Sequence, residues 1–145
     1  MLIVAIGSTV YPSLRAAERL EAEGIDVAVI NSRFLKPLDG ELLSDWVRRT
    51  GRVLTVEENV LAGGFGSAVL EVLQERGLFS VRVRRLGIPD LFLEHGPQPL
   101  LRAKYGIDEQ GIFRAVKEMM EEEKSPSIRP SQTKAPHKRV FPDTK

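Results

Sequence analysis

The residues best suited to chemistry in this 145-residue chain are the glycine-rich stretch AGGFGS, at 62–67, and the two glutamates just before it. Glycines let a backbone approach an anion closely, and the free N–H groups that begin a following helix attract negative charge. The spacing matches neither the P-loop with its lysine nor the dinucleotide pattern GxGxxG. We therefore favour a structural role, in which Gly63, Gly64 and Gly66 permit a sharp turn and close packing against a neighbouring chain or domain.

The adjacent carboxylates Glu57 and Glu58 resemble an acid–base pair only until strand geometry is considered. Neighbouring residues of an extended segment point to opposite faces, so the two side chains do not form a ready-made dyad. If Glu58 already lies in the loop, it could cap a backbone turn or meet a cation across an interface. We favour that role over proton transfer.

Three further groups of residues could bind or react, and each has a plainer explanation. His95 lies in a loop between two glycines, where it could donate a proton or contact a partner, but no second catalytic group stands beside it in sequence. Arg33 and Lys36 could bind phosphate, although exposed cations around a turn set by Pro37 explain them equally well. Ser8 and its neighbouring threonine lack the context of a nucleophile elbow.

Composition excludes several classes of protein. The chain has no cysteine, which removes disulfides, thiolate metal sites and a cysteine nucleophile and fits a reducing cytoplasm. Its two histidines are far apart, which disfavours a zinc site. The apolar run LIVAI is too short to span a membrane and lacks the features of a signal peptide, so we expect a cytoplasmic protein with no membrane partner.

Charge divides the chain into two parts. Residues 124–145 hold six Lys or Arg, one Asp and four prolines, which leaves 15 basic and 19 acidic residues in the preceding part. Few residues of this tail could form a core, so we predict a domain at 1–123 and a basic, Pro-rich, disordered tail at 124–145. No folded nucleic-acid motif accompanies the tail, which disfavours a nucleic-acid partner.

The elements that would position these residues alternate along the chain. Apolar runs at 2–6, 26–30, 52–57 and 80–86 are separated by helix-like segments, which predicts a parallel sheet with crossover helices. The helices are expected at 12–23, from Asp39 to Gly51, at 66–76 and from Asp108 onward. The fourth run alternates valine with arginine whereas the first is wholly apolar, so the fourth should form an edge and the first the centre.

Four motifs in fixed order, SRFLKPLD, TVEENVLAGGFGSAVLE, LGIPDLFLEHG and YGIDEQGI, resemble the C-terminal domain of 1-deoxy-D-xylulose-5-phosphate synthases, which are relatives of transketolase. The resemblance covers about residues 2–120. It implies a three-layer α/β/α fold with a mostly parallel sheet, like the transketolase C-terminal domain. Family structures add an antiparallel strand just before the segment with which this chain begins, and its loss would leave one sheet edge unpaired.

The resemblance also implies a parent activity: condensation of pyruvate with D-glyceraldehyde 3-phosphate, with loss of CO2, for isoprenoid, thiamine and pyridoxal phosphate synthesis. In such enzymes, thiamine diphosphate and Mg²⁺ lie between the two preceding domains, at a Gly-Asp-Gly motif that this chain lacks. The resemblance thus implies a dimer-supporting domain with no catalytic, cofactor-binding or metal-binding residue of its own, inactive alone. Its partners would be the upstream cofactor-binding domains and a second copy in a homodimer.

Within that interpretation, the glycine turn supports packing within and between subunits. The residues proposed to lie at an interface or beside the active site are Glu58, Gly63, Gly64, Phe65 and His95. The alternative from a different class is a freestanding module that binds a phosphorylated ligand at the glycine-rich loop.

Overall fold

The computed structural model describes residues 1–122, so the predicted tail at 124–145 lies outside the described residues. The strands are β1 (Leu2–Ala5), β2 (Ala28–Asn31), β3 (Arg52–Val60) and β4 (Arg82–Ile88). The helices are α1 (Val10–Ala22), α2 (Gly40–Thr50), α3 (Phe65–Glu75), α4 (Gln98–Lys104) and α5 (Glu109–Glu121), and a short 3-10 turn occupies Gly7–Thr9.

All strand pairs are parallel, in the order β2-β1-β3-β4. The predicted α/β fold is therefore confirmed, with the apolar β1 inside the sheet and the arginine-rich β4 at an edge. The opposite edge is β2, whose outer side pairs with no other strand of residues 1–122. Residues 28–30 of this edge strand are half-buried.

Each face of the sheet is covered by two helices, which gives the predicted three layers. One apolar core packs α1 and α5 on the β1 and β3 side chains Ile3, Leu54 and Val56. The other packs α2 and α3 on Leu2, Val4 and Val53. The consecutive side chains of β1 are buried on both faces, which explains its unbroken apolar sequence.

The face of α1 that packs on the core includes its first turn. Val10, Ser13, Ala16 and Leu20 face the core, whereas Leu14 is exposed. The helix starts at Val10, two residues before the predicted start. Its first turn therefore contributes the buried residues Val10 and Ser13. Similarly, α2 buries Leu43 and Val47 but exposes part of Leu42.

The helix ends follow the local sequence signals. The Asp39 carboxylate accepts the Leu42 N–H at 2.9 Å at the start of α2, and Gly51 ends that helix with a φ of 65°. Asp108 accepts the Gly111 N–H at 2.8 Å and begins α5 in the same way. Helix α4, which starts after Pro97, was not predicted from the sequence.

Candidate functional site at the carboxyl edge of the sheet

The carboxyl ends of β1 and β3 mark the point where the strand order reverses. The chain leaves β1 toward β2 but leaves β3 toward β4, on the opposite side. Such a reversal opens a crevice in parallel sheets, and ligands of this fold class usually bind there. In this protein, the 3-10 turn at Gly7–Thr9 and the glycine-rich turn after β3 border the crevice.

The anion that the glycine-rich turn binds is a side chain of the same chain. Glu57 is fully buried. Its two carboxylate oxygens accept the Phe65 N–H at 2.6 Å and the Gly66 N–H at 2.8 Å. These N–H groups begin α3 and would otherwise lack partners, so Glu57 both caps the helix and complements its dipole. A phosphate at this position would have to displace the Glu57 carboxylate, which removes the support for a phosphate-binding loop.

The glycines of the turn are required for two different reasons. Gly63 has a φ of 70°, a left-handed conformation that favours glycine. Gly64 has an extended conformation but no free space, because a Cβ there would lie 2.1 Å from the Val60 carbonyl oxygen and 2.3 Å from a Glu57 oxygen. The next residue, Phe65, is 2% exposed and packs in the core between the sheet and the α2–α3 layer.

Glu58 faces away from Glu57, as strand geometry predicts, and organises a polar cluster at the rim of the crevice. Arg102 of α4 donates to both of its carboxylate oxygens, from Nε at 3.0 Å and from Nη2 at 2.7 Å. The Gln98 amide donates to it at 2.9 Å, and the Ser8 hydroxyl also donates to it. Glu58 lies within β3 and thus ties the 3-10 turn after β1 to α4. The cation that contacts Glu58 within this chain is Arg102.

The contacts in this cluster change the acidity of Glu58. The hydrogen bonds from Arg102, with smaller contributions from Ser8 and Gln98, lower the Glu58 pKa from 4.5 to about 2, against the opposing effect of burial. The same contact raises the pKa of Arg102. A carboxylate with so low a pKa stays ionised at neutral pH and is poorly suited to exchange a proton there. The geometry therefore favours a positioning role for Glu58.

We expect the Glu58–Arg102 pair to make stability depend on acid pH. Folding lowers the Glu58 pKa, so ionised Glu58 stabilises the folded state. This stabilisation is complete above about pH 4.5 and is lost as the pH falls toward 2. The side chain is 24% exposed, so solvent screening reduces the effect to about 1–2 kcal/mol. Urea unfolding at pH 6, 4.5 and 3 gives the free energy of unfolding of the wild type and of Arg102→Met. The difference between the two proteins should become smaller as the pH falls.

The control for this measurement is Arg114→Met, since Arg114 is an exposed arginine of α5. Its stability difference from the wild type should stay within about 0.5 kcal/mol at every pH. A difference for Arg102→Met that remained constant from pH 6 to 3 would contradict the assignment of this pair as the origin of the acid sensitivity.

His95 lies apart from the hydrogen bonds of this cluster. The segment at 91–97 is exposed throughout, and Phe92 is fully exposed. The adjacent Glu94 pairs with Lys104 of α4 and is 3.5 Å from the Tyr105 hydroxyl. Within residues 1–122, no hydrogen bond or ion pair joins His95 to Glu58. Of the five proposed site residues, Glu58, Gly63 and His95 reach the surface, whereas Gly64 and Phe65 are buried.

Sequence analysis missed two members of the Glu58 cluster. Arg102 and Gln98 are more than 39 residues from Glu58 in sequence and lie on the helix that was not predicted. The proline at the second position of α4 was the available indication of a helix start. Nothing in the local sequence pairs these residues with Glu58, since only the fold brings α4 next to Glu58.

Two other kinds of feature, a metal site and a membrane span, are absent from residues 1–122. Across residues 1–122, no group of three or more His, Asp or Glu side chains is placed to hold a metal ion. No helix in this range combines the length and the apolar character needed to cross a membrane.

Comparison with known families gives the class of this α/β domain, in which Glu57 caps the helix after the glycine turn. Residues 1–112 match the family model described as the transketolase C-terminal domain. The chain belongs to this family.

Among characterised relatives, the chain is similar to the C-terminal part of 1-deoxy-D-xylulose-5-phosphate synthases, which confirms the resemblance noted in the sequence. It is 57% identical over 118 residues to synthase 1 of Geobacter metallireducens, covering 81% of this chain and 19% of the relative. It is 54% identical over 125 residues to synthase 1 of Geobacter sulfurreducens, covering 86% and 20% respectively. The chain thus spans about a fifth of the length of these relatives.

A solved structure with a similar fold is described as a split gene transketolase in an inactive beta4 tetramer. It superposes with a TM-score of 0.74 at 44% sequence identity, and the match covers 81% of this chain and 38% of that one.

Proposed function

We propose that this chain serves as the C-terminal structural domain of a 1-deoxy-D-xylulose-5-phosphate synthase. The proposal rests on one observation: relatives at 46–57% identity are such synthases, and they match it over only about a fifth of their length. The enzyme would be a transferase that joins pyruvate to D-glyceraldehyde 3-phosphate and releases CO2. Its product would supply isoprenoid, thiamine and pyridoxal phosphate synthesis in the cytoplasm.

In this proposal the thiamine diphosphate and Mg²⁺ bind to the preceding domains. The residues of this chain do not fit the cofactor, because it contains no Gly-Asp-Gly motif and residues 1–122 hold no acidic or histidine cluster suited to a metal. The fully buried Glu57 is committed to the α3 N-terminus, and Glu58 is committed to Arg102. The proposed contribution of this chain is support for a homodimer, and we expect it to be inactive alone.

Two structural features support a role as one part of a larger assembly. The half-buried edge strand β2 leaves backbone groups available for another strand, and the resemblance implies such a strand upstream. In addition, the segment at 91–97 exposes Phe92 fully and Leu91 by half. Large apolar side chains exposed together are typical of a surface that contacts another domain or subunit.

A domain exchange tests the proposal directly. The G. metallireducens synthase would be prepared whole, without the matching C-terminal fifth, and with residues 1–122 of this chain in its place. We expect the chimera to form 1-deoxy-D-xylulose 5-phosphate from both substrates, and the truncated enzyme to lose at least about tenfold in kcat/KM. The isolated chain should form no product.

The mass of each protein in solution provides the control for assembly. We expect the whole enzyme and the chimera to be dimers of equal mass when measured by light scattering. A chimera that folds and dimerises but is no more active than the truncated enzyme would contradict the proposal.

A further inference from the structure

Residues 32–39 follow β2 and contain the basic residues Arg33 and Lys36. This segment contributes to the lining of a cavity that the proposed function does not use. The cavity has a volume of about 200 Å³ and lies at the carboxyl ends of β1 and β2, where residues 31–34 and 37–39 line it. Its floor and walls are apolar and come from the sheet, α2, α3 and this segment: Val4, Ile30, Leu38, Leu42, Leu43 and Val69. It is separate from the Glu58 cluster, since the two share no residue.

The polar groups of the cavity come from the residues that follow β2 and begin α2. Asn31, Ser32 and Arg33 contribute an amide, a hydroxyl and a guanidinium. Arg33 is exposed, and no ion pair to it is found within residues 1–122. An exposed guanidinium among the lining of an apolar cavity matches a ligand that carries an anionic head on an apolar body. Lys36 is exposed and does not line the cavity.

The charge of the lining restricts the kind of anion. Asp39 also lines the cavity, and one of its oxygens accepts the Leu42 N–H at the start of α2. With one cation and one carboxylate among the lining side chains, a singly charged head group is better matched than a doubly charged phosphate. Carboxylate also suits the bidentate geometry of a guanidinium.

The volume restricts the size of the apolar body. At roughly 30 Å³ per non-hydrogen atom, the volume that one water occupies in the liquid, the cavity holds about six to eight atoms. Pockets for larger ligands commonly measure about 300–1,000 Å³. Phe34, which is exposed and also lines the cavity, adds an aromatic surface for the same body.

We propose that this cavity is a binding site for a small branched or cyclic aliphatic monocarboxylate, with Arg33 contacting the carboxylate and the β1–β2 floor contacting the hydrocarbon. The proposal does not depend on the assignment to a synthase, because every residue of the site lies in this chain. It adds a ligand site to a domain for which the proposed function requires none.

The probe for the test is 4-methylpentanoate, which has eight non-hydrogen atoms, titrated into the full 145-residue chain and followed by amide NMR shifts. We expect saturable shifts at residues 30–43 with a dissociation constant of about 1 mM, typical of so small a ligand. The matching alcohol, 4-methylpentanol, should bind about tenfold more weakly, as it lacks the charge that Arg33 recognises. Inorganic phosphate should give no saturable shifts in this region.

Three variants locate the site. Arg33→Gln should weaken binding of 4-methylpentanoate about tenfold and abolish the preference over the alcohol. Leu42→Trp should fill the cavity and remove saturable binding. Leu70→Trp is the matched control, since Leu70 is a similarly exposed leucine on α3 that does not line the cavity, and its affinity should equal that of the wild type.

Three results would overturn the proposal. The first is equal affinity for the acid and the alcohol, and the second is the absence of saturable shifts up to about 50 mM probe, well above the expected dissociation constant. The third is unchanged binding in Leu42→Trp. Thermal unfolding of each variant shows whether it remains folded at the temperature of the titration.

Discussion

Gly64→Ala is expected to destabilise the domain by about 3 kcal/mol, although it adds a single methyl group. The added Cβ would lie 2.1 Å from the Val60 carbonyl oxygen, which belongs to the backbone and cannot rotate away. It would also lie 2.3 Å from the Glu57 oxygen that accepts the Phe65 N–H. The chain must therefore move the turn away from β3 or release the cap of α3, and either change weakens the α2–α3 core.

The neighbouring glycine is the matched control. Gly63→Ala meets no atom within 4 Å, so its cost is limited to the left-handed backbone, about 1 kcal/mol. Gly63→Asn should cost less, because asparagine tolerates this conformation better. Urea unfolding followed by far-UV circular dichroism gives the free energy of unfolding of each variant. Equal losses for Gly63→Ala and Gly64→Ala would show that space at Gly64 is not the limiting factor.

The second large effect is expected for Glu57→Ala, which should cost about 4 kcal/mol. The substitution leaves the buried Phe65 and Gly66 N–H groups without an acceptor, at about 1–3 kcal/mol each, and it opens a cavity beneath α3. Glu57→Gln keeps the shape and one acceptor oxygen, so we expect about half this loss. The control Glu71→Ala removes an exposed glutamate of α3 and should change stability by less than about 0.5 kcal/mol.

Combining the two changes tests whether Glu57 and Gly64 act together. In the double variant Glu57→Ala/Gly64→Ala, the carboxylate that would contact the new Cβ is gone, so the combined loss should be smaller than the sum by about 1 kcal/mol or more. Strict additivity would contradict the proposed close packing between these residues. A Glu57→Ala protein as stable as the Glu71→Ala control would refute the role of Glu57 as the helix cap.

The arrangement of strands and helices could be predicted from the sequence because the patterns that indicate it are local. The continuous apolar run of β1, the alternation in β4, and the caps at Asp39 and Asp108 each depend on residues a few positions apart. These patterns sufficed for the parallel sheet, for the central place of β1 and the edge place of β4, and for four of the five helices found in residues 1–122. They also sufficed to separate Glu57 from Glu58, because strand geometry places adjacent side chains on opposite faces.

Tertiary structure alone decided what those two glutamates do. Glu57 meets the α3 N-terminus because the turn folds back over the end of β3, and Glu58 meets Arg102 because the fold brings α4 next to β3. The same holds for Arg33, whose place beside an apolar cavity depends on how α2 and α3 pack on the sheet. Local sequence specifies which residues form a strand or a helix, but the partner of a charged side chain depends on contacts between residues far apart in the chain.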